Sequence, residues 1–190
     1  MKIICIGDSL TQGYGVLTRE TWVELLNKNT EVEFINRGIN GDTSGGMLAR
    51  FQKDVIDEKP RYVLIMGGVN DMIAGSNQGM IQSNLMAMVH QAYYHQITPI
   101  VGISIKADIE TFRKDWAELT SVNDLNTKIL EYRNWVIKFC RIFNVPYIDF
   151  YKEFDDKIQG NYIRYLLDGL HPTKEGHRIL ADIAIQKFLD

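Results

Sequence analysis

The chain has little cysteine or proline, no excess of positive charge and no long apolar run. Its 190 residues include 2 cysteines and 4 prolines, and 21 Lys plus Arg stand against 24 Asp plus Glu, a formal net charge of -3. The chain therefore lacks the basic excess that binding to a nucleic-acid backbone requires. No apolar run approaches the length of about 20 residues that spans a bilayer, so neither a nucleic-acid partner nor stable membrane insertion is expected.

The two cysteines are too few for a disulfide framework. Cys5 lies in the first apolar run, and Cys140 lies on the apolar side of a predicted helix. Both are interpreted as small buried hydrophobic residues rather than as a disulfide or a catalytic pair. The apolar residues 3–6 are too short a run for the core of a signal peptide, so we expect a cytoplasmic protein.

Length and composition predict a single domain at residues 1–190. Compact domains commonly hold about 100 to 200 residues, and the sequence shows no linker, internal repeat or low-complexity segment. A hydrophobic fraction of 45%, with 24% charged residues, is ordinary for a globular protein with its own core.

Short apolar runs alternate with helical periodicity along the whole chain. The runs predict strands at residues 2–7, 31–38, 62–68, 98–105 and 145–150. Apolar residues spaced three and four apart predict helices around Trp22–Leu26, Met47–Val55, Ile81–Ala92, Leu125–Phe143 and Ile179–Phe188. Strands separated by helices indicate βαβ units, so we predict a three-layer α/β/α sandwich around a five-stranded parallel sheet, flavodoxin-like in layout.

Residues 106–122 are the one long polar connection in this pattern. They exceed the usual loop length of about 4 to 6 residues, and we expect a short helix there at the mouth of the site. Whether this segment moves as a lid is left open. Because parallel sheets bind ligands beyond the carboxyl ends of their strands, functional residues are expected just after strands.

The stretch IGDSLTQG at residues 6–13 does not fit the common glycine-rich motifs. A Walker loop ends in Gly-Lys-Ser/Thr, but residues 7–18 contain no lysine. The dinucleotide fingerprint is broken at Thr18, and the nucleophile-elbow pattern G-x-S-x-G is broken at Thr11. Ser9 nevertheless follows the first predicted strand, so it is either a nucleophile at the sheet edge or a simple turn residue.

A possible partner for a nucleophilic serine lies in LLDGLHPTKEGH, residues 166–177. Serine needs a neutral imidazole to take its proton, and a carboxylate commonly holds that imidazole in one tautomer. Asp168 and His171 are three residues apart in a glycine-containing turn, and Pro172 biases His171 toward an extended backbone. The alternative is an Asp and a His that are merely neighbours on the surface.

The other histidines are weaker candidates. His90 and His95 fall on the third predicted helix or at its end, and His177 lies in the last helix, where we expect solvent exposure. A metal site built from His171 and His177 would need further ligands at a suitable spacing, which we do not find. No metal is therefore predicted.

Two loops offer hydrogen-bond donors for the oxyanion of a tetrahedral intermediate. Residues 36–46 follow the second strand and bring the backbone N–H of Gly41 to the sheet edge. Residues 66–72 follow the third strand and offer the carboxamide of Asn70. Either loop could instead be simple turn chemistry, because Gly, Asn and Asp are common in turns.

Taken together, these clusters resemble the sequence blocks of the SGNH hydrolases, also called the GDSL family of esterases and lipases. GDSL at 7–10 resembles the first block, GINGDTS at 38–44 the second, GGVND at 67–71 the third and DGLHP at 168–172 the fifth. The four blocks occur in the family's order. The resemblance implies a five-stranded parallel sheet between helices, which agrees with the fold predicted from periodicity.

The resemblance also implies a role for each candidate residue. Ser9 would be the nucleophile, His171 its base and Asp168 the carboxylate that orients the base. The N–H groups of Ser9 and Gly41 and the carboxamide of Asn70 would bind the oxyanion. Neither metal nor organic cofactor is expected.

The expected activity is that of a serine esterase that cleaves carboxylic ester or thioester bonds of small or medium acyl substrates through an acyl-enzyme on Ser9. The resemblance is closest to bacterial arylesterases, thioesterases and lysophospholipases. A carbohydrate O-deacetylase of the same family is the alternative, because these enzymes share the blocks. A noncatalytic flavodoxin-like module that binds a ligand at the same strand ends is the alternative from another class.

Overall fold

Five parallel strands form one sheet at the centre of the protein. The structure is a computed structural model that describes residues 1–189, with only the backbone described at Leu189. The strands are β1 (Lys2–Gly7), β2 (Glu33–Gly38), β3 (Tyr62–Met66), β4 (Thr98–Ile103) and β5 (Tyr147–Asp149). Their order across the sheet is β2-β1-β3-β4-β5, and every neighbouring pair is parallel.

Helices cover both faces of this sheet. In chain order they are α1 (Ser9–Gln12), α2 (Trp22–Asn29), α3 (Ser44–Phe51), α4 (Val69–Ile73), α5 (Gln78–Tyr94), α6 (Lys114–Ala117), α7 (Val122–Phe143), α8 (Phe150–Ile158), α9 (Tyr162–Tyr165) and α10 (Lys174–Leu189). A 3-10 turn, Thr18–Glu20, precedes α2, and a π-helical turn, Gln52–Ile56, extends α3. The predicted three-layer α/β/α fold is confirmed.

Alternation along β1 shows how one strand serves two cores. Ile4 and Ile6 pack into the core that α3, α5 and α7 cover, whereas Ile3 and Cys5 pack into the core under α2, α8 and α10. Successive side chains of a strand point to opposite faces, so a strand buried on both faces must be apolar throughout. Cys5 and Cys140 are both buried and unpaired, as the sequence predicts.

The structure differs from the sequence-based elements mainly at their ends. The strands predicted at 31–38 and 145–150 begin later, at Glu33 and Tyr147, because the preceding residues belong to the connections. Helix α8 was not predicted, although Phe150, Phe154 and Ile158 recur every four residues and are buried. In segment 106–122, the structure has the short helix α6 that was expected.

The order in which strands are added to the sheet reverses at β1. After β1 the chain adds β2 on one side, and then returns to add β3 on the other. The gap beyond the carboxyl ends of β1 and β3 is therefore the topological switch point, where ligands bind in open parallel sheets. Ser9 follows β1 and Asn70 follows β3, so the fold places both predicted site residues at this position.

Candidate active site

The nucleophile candidate Ser9 is the first residue of α1. Oδ1 of Asp8 accepts the backbone N–H of Leu10 at 2.9 Å and caps this short helix. Gly13 ends the helix in a left-handed conformation, and its N–H donates to the Ser9 carbonyl at 2.9 Å. Trp22 donates its indole N–H to the Leu10 carbonyl at 2.9 Å. The turn that holds Ser9 is therefore fixed at both of its ends.

Ser9, His171 and Asp168 form a continuous hydrogen-bonded chain. Oγ of Ser9 lies 2.8 Å from Nε2 of His171, and Nδ1 of His171 lies 2.9 Å from Oδ2 of Asp168. Ser9 is 7% exposed and His171 is 4% exposed. A carboxylate accepts hydrogen bonds only, so Nδ1 carries the proton and Nε2 is left to accept the Ser9 hydroxyl. This is the tautomer that a base for Ser9 requires.

The turn between Asp168 and His171 is held by the carboxylate itself. Oδ1 of Asp168 accepts the backbone N–H of His171 at 2.9 Å and that of Leu170 at 3.3 Å. Gly169 has a φ of +80°, which only glycine adopts readily. Burial opposes ionisation of Asp168, but the hydrogen bonds from His171 outweigh it, so the pKa of Asp168 lies below its usual value. Asp168 is therefore ionised at neutral pH.

The loop that carries Gly41 packs against the Ser9 turn. The Ile39 N–H donates to the Gly7 carbonyl at 3.1 Å, and the Asn40 N–H donates to Oε1 of Gln12 at 2.6 Å. Gly41 itself is exposed, with a φ of +76°, and a Cβ built there would meet no atom of the described residues within 4 Å. The loop thus leaves open space at Gly41, where a substrate could approach its backbone.

Asn70 joins this loop to the one that follows β3. Its Nδ2 donates to the carbonyl of Asp42, the residue after Gly41, at 2.9 Å. Each carboxamide nitrogen carries two N–H groups, so the second remains for another acceptor. The structure therefore brings Ser9, His171 and Asp168 together directly, and ties the Gly41 and Asn70 loops to each other.

A buried network that the sequence did not reveal fixes the two loops further. Asp71 is 2% exposed and accepts both the backbone N–H of Ser44 at 2.8 Å and its hydroxyl at 2.6 Å. Asn84 donates to the same Ser44 oxygen at 2.9 Å. These hydrogen bonds join side chains that are separated by 27 and 40 positions in the chain. No local sequence pattern indicates contacts of this range.

Arg50 connects the same region to β1. Its Nε donates to Asp42 at 2.8 Å, its Nη1 to Asp54 at 2.8 Å and its Nη2 to the Gly7 carbonyl at 3.0 Å. Asp8 lies nearby, and burial raises the pKa of its carboxyl to about 6. Asp8 shapes the α1 turn through its hydrogen bond to Leu10.

The expected solvent exposure of His177 is wrong. Its side chain is 0% exposed, and its Nδ1 accepts the backbone N–H of Trp22 at 3.2 Å. Nε2 of His177 is buried and has no hydrogen-bond partner within residues 1–189. Burial, together with the nearby His171, lowers the pKa of His177 to about 4. Helical periodicity alone could not show that the face of α10 that carries His177 packs against α2.

His177 should make the protein less stable in mild acid. Its pKa is about 4 in the folded state and about 6.5 in the unfolded chain, so the folded state binds fewer protons in between. The free energy of unfolding therefore falls as pH drops through this interval, by about 3 kcal/mol from this group. We expect the difference in the free energy of unfolding between wild type and His177→Gln, measured with urea, to decrease by that amount as the pH is lowered through this interval.

Comparing the two proteins isolates this contribution. The raised pKa of Asp8 acts in the opposite direction, but it is common to wild type and variant. His95→Gln, at an exposed position, serves as the matched control. If the difference in the free energy of unfolding between wild type and His177→Gln stays constant from about pH 6.5 to 4, this prediction is contradicted.

The fold and the site together define a class of protein. A parallel α/β sheet with a Ser–His–Asp chain at its carboxyl edge is an arrangement found in serine hydrolases. The chain belongs to the GDSL-like Lipase/Acylhydrolase family, whose model matches residues 5–179. The family predicted from the four blocks is confirmed.

Individual relatives agree with this membership. The chain is 37% identical over 95 residues to esterase TesA of Pseudomonas aeruginosa, a match that covers 47% of each chain. It is 25% identical over 182 residues to thioesterase 1/protease 1/lysophospholipase L1 of Escherichia coli strain K12, covering 95% of this chain and 79% of the relative. The match to TesA thus spans about half the length of that relative.

A solved structure shows the same fold. The crystal structure of a member of the lipolytic protein G-D-S-L family from Veillonella parvula DSM 2008 has a TM-score of 0.84 and 25% identity. The likeness covers 99% of this chain and 98% of the other. In residues 1–189, no helix has the length and apolar character needed to cross a membrane. The cytoplasmic location and the single domain over residues 1–190 stay predictions, and residue 190 lies outside the described residues.

Proposed function

We propose that this protein is a serine esterase that cleaves carboxylic ester or thioester bonds of small or medium acyl substrates. The observation that carries the proposal is the hydrogen-bonded chain from Asp168 through His171 to Ser9, with distances of 2.9 and 2.8 Å. Position alone would leave Ser9 a turn residue. The imidazole beside its hydroxyl supplies the base that a serine nucleophile needs.

In the first half of the reaction, His171 takes the Ser9 proton through Nε2 as Oγ attacks the substrate carbonyl. The carbonyl π electrons move to oxygen and form a tetrahedral oxyanion. When the C–O or C–S bond to the leaving group breaks, the proton on His171 passes to that group. An acyl-enzyme on Ser9 remains, and Asp168 stabilises the imidazolium in the steps that form it.

In the second half, water replaces the leaving group. His171 takes a proton from water, hydroxide attacks the acyl carbon, and the acid product leaves as the proton returns to Oγ of Ser9. The whole sequence uses one base twice. This requires that Nε2 face the bound substrate as well as Ser9.

The proposed oxyanion donors are the backbone N–H groups of Ser9 and Gly41 and the side chain of Asn70. Ser9 is the first residue of α1, where backbone N–H groups have no acceptor within the helix. Asn70 is oriented by its bond to Asp42 and keeps a second N–H. Loops 38–42 and 67–70 lie at the switch point with Ser9, which supports this assignment.

The relatives support ester chemistry but differ in substrate. One relative is an esterase and the other a thioesterase/protease/lysophospholipase, so we propose both oxygen esters and thioesters as substrates. The carbohydrate O-deacetylase alternative shares the same catalytic residues and differs only in the bound alcohol. A panel of p-nitrophenyl esters of increasing acyl length, tested beside acetyl xylan, separates these substrate classes.

The proposed function is tested with a fluorophosphonate probe and p-nitrophenyl acetate. We expect the probe to label Ser9 once per chain and to abolish hydrolysis. Ser9→Ala should neither be labelled nor hydrolyse the ester, whereas Ser83→Ala, at an exposed serine of α5, should behave as wild type. Labelling or hydrolysis that survives in Ser9→Ala would refute the proposal, and inactivity toward all esters would favour the noncatalytic alternative.

Asn70→Ala is expected to lower kcat by roughly 100-fold to 1000-fold, with a smaller change in KM. The carboxamide would bind the oxyanion more strongly than the ground-state carbonyl, so its loss affects mainly the transition state. Steady-state kinetics with p-nitrophenyl acetate measure both constants. Asn134→Ala, at an exposed position of α7, is the control. A change confined to KM would show that Asn70 only binds substrate.

A further inference from the structure

The His171 ring contacts two aromatic side chains that the reaction above does not use. The ring centroid of Tyr14 lies 4.4 Å from that of His171 at an angle of 41°, and the Trp116 centroid lies 5.3 Å away at 64°. We propose that Tyr14 and Trp116, the aromatic pair, are positioning residues that hold the imidazole where it reaches both Ser9 and Asp168. This inference rests on the proposed function and adds to it.

Tyr14 is bonded to the turn that carries Ser9, and its neighbour Gly15 packs against the turn that carries His171. Its backbone N–H donates to the Ser9 carbonyl at 3.1 Å. The next residue, Gly15, packs so closely that a Cβ there would lie 2.5 Å from Cδ1 of Leu167. Leu167 in turn donates its N–H to the His171 carbonyl at 2.8 Å. Tyr14 therefore lies between the nucleophile turn and the histidine turn and is in contact with both through its own backbone and that of Gly15.

Trp116 reaches His171 from the segment between β4 and α7. The start of this segment is anchored to the histidine turn, because the Asp108 N–H donates to the Gly169 carbonyl at 2.7 Å. Asn126 of α7 pairs with both the N–H and the carbonyl of Ala107, at 2.9 and 2.8 Å. Residues 107 and 108 are thus tied to the body of the protein on two sides.

One further contact holds the tryptophan itself, and another holds the segment that carries it. The guanidinium carbon of Arg113 lies 4.6 Å from the centroid of the Trp116 ring. Close packing also joins the segment to the turn before His171, since a Cβ on Gly169 would lie 2.5 Å from the backbone of Phe112. Helix α6 therefore presents Trp116 at a defined place beside the base.

The two hydrogen bonds of His171 do not by themselves hold its ring throughout the reaction. The bond to Ser9 is lost once the proton has moved to Nε2 and Oγ is bonded to the acyl carbon, and the side chain could then rotate about its Cα–Cβ and Cβ–Cγ bonds. Contacts with the flanks of the ring oppose this rotation. Orientation matters because Nε2 must first accept the Ser9 proton and then deliver it to the leaving group, and small displacements of reacting groups are costly.

Two other roles for the aromatic pair predict different kinetics. If Tyr14 and Trp116 only form a wall of the substrate pocket, their loss raises KM and leaves kcat unchanged. If they only stabilise the fold, their loss lowers the unfolding temperature. Replacing another exposed aromatic side chain of similar size should then have the same effect. A positioning role lowers kcat in the folded enzyme at unchanged KM.

The test compares Tyr14→Leu and Trp116→Leu with Tyr14→Phe and Trp116→Phe in the full chain. We expect each Leu variant to lower kcat for p-nitrophenyl acetate by about tenfold and to slow fluorophosphonate labelling of Ser9 in parallel. KM should stay within about twofold, because substrate binding is not the affected step. The Phe variants should restore most of kcat, since they keep a flat ring beside His171.

Tyr94→Leu, at an exposed tyrosine far from His171 in the chain, is the matched control and should resemble wild type. A rise in KM alone, or wild-type kcat in both Leu variants, would overturn the positioning role. A kcat loss in Tyr94→Leu as large as in Tyr14→Leu would do the same. The Ser9→Ala variant separates failure of the positioning role from failure of the proposed function. If the proposed function is wrong, hydrolysis persists in Ser9→Ala; if only the positioning role is wrong, hydrolysis is lost in that variant.

Discussion

Replacing His171 by alanine is expected to lower kcat on the order of a million-fold, with little change in KM. The Ser9 hydroxyl then has no base at Nε2, and the leaving group has no proton donor. Substrate binding uses other parts of the site, so KM should change little. The surrounding turn keeps its backbone bonds from Leu170 and residue 171 to Asp168.

Several measurements and controls make this prediction specific. Steady-state kinetics give kcat, thermal unfolding confirms that the variant is folded, and His95→Ala at an exposed position serves as control. Added imidazole should restore part of the activity, because it can occupy the vacated space and act as a diffusible base. The double variant Ser9→Ala/His171→Ala should be no slower than either single variant, because the two residues act as one unit. A loss of less than about a hundredfold would exclude His171 as the base.

Asp168→Asn is expected to lower kcat by about ten-thousandfold. The carboxamide can place an N–H toward Nδ1 of His171, which favours the tautomer with the proton on Nε2. That tautomer cannot accept the Ser9 proton, and the neutral amide no longer stabilises the imidazolium. The asparagine oxygen can still accept the N–H groups of Leu170 and His171, so the turn should survive.

The matched control for this variant is Asp182→Asn, at an exposed position of α10. Both variants remove one negative charge, so a difference between them reports the bond to His171 rather than net charge. Urea unfolding should show a folded Asp168→Asn protein. A kcat within tenfold of wild type would mean that the carboxylate merely closes the turn.

The fold could be predicted because periodicity is a local property of the sequence. Strand β1 is marked by a continuous apolar run and helix α7 by the spacing of its apolar residues, and both lie where they were expected. Helix α8 was missed because its first buried residue, Phe150, was assigned to the preceding strand, which left only Phe154 and Ile158 to indicate the helical spacing. Some predicted strands are longer than the observed ones, because an apolar residue can pack equally well beyond the last hydrogen bond between two strands.

The site was predictable to the extent that its chemistry lies in short blocks. Ser9 was predicted from its position after the first strand, and Asp168 and His171 from residue type and spacing in the turn before the last helix, together with the resemblance to the family blocks. The bonds of Asp71 to Ser44, the burial of His177 and the contact of Trp116 with His171 depend on which helix faces which loop. These contacts join residues far apart in the chain, and no local pattern specifies them.

The hydrogen bond between Ser9 and His171 joins residues 162 positions apart, one just after the first strand and one just before the last helix. Contacts of such long range carry a large loop-closure entropy and form only when the intervening chain is organised. A reactive Ser9 is therefore a property of the completely assembled chain. During refolding from denaturant, the recovery of probe labelling should lag behind the recovery of helical signal, which makes the nucleophile a reporter of the final folding step.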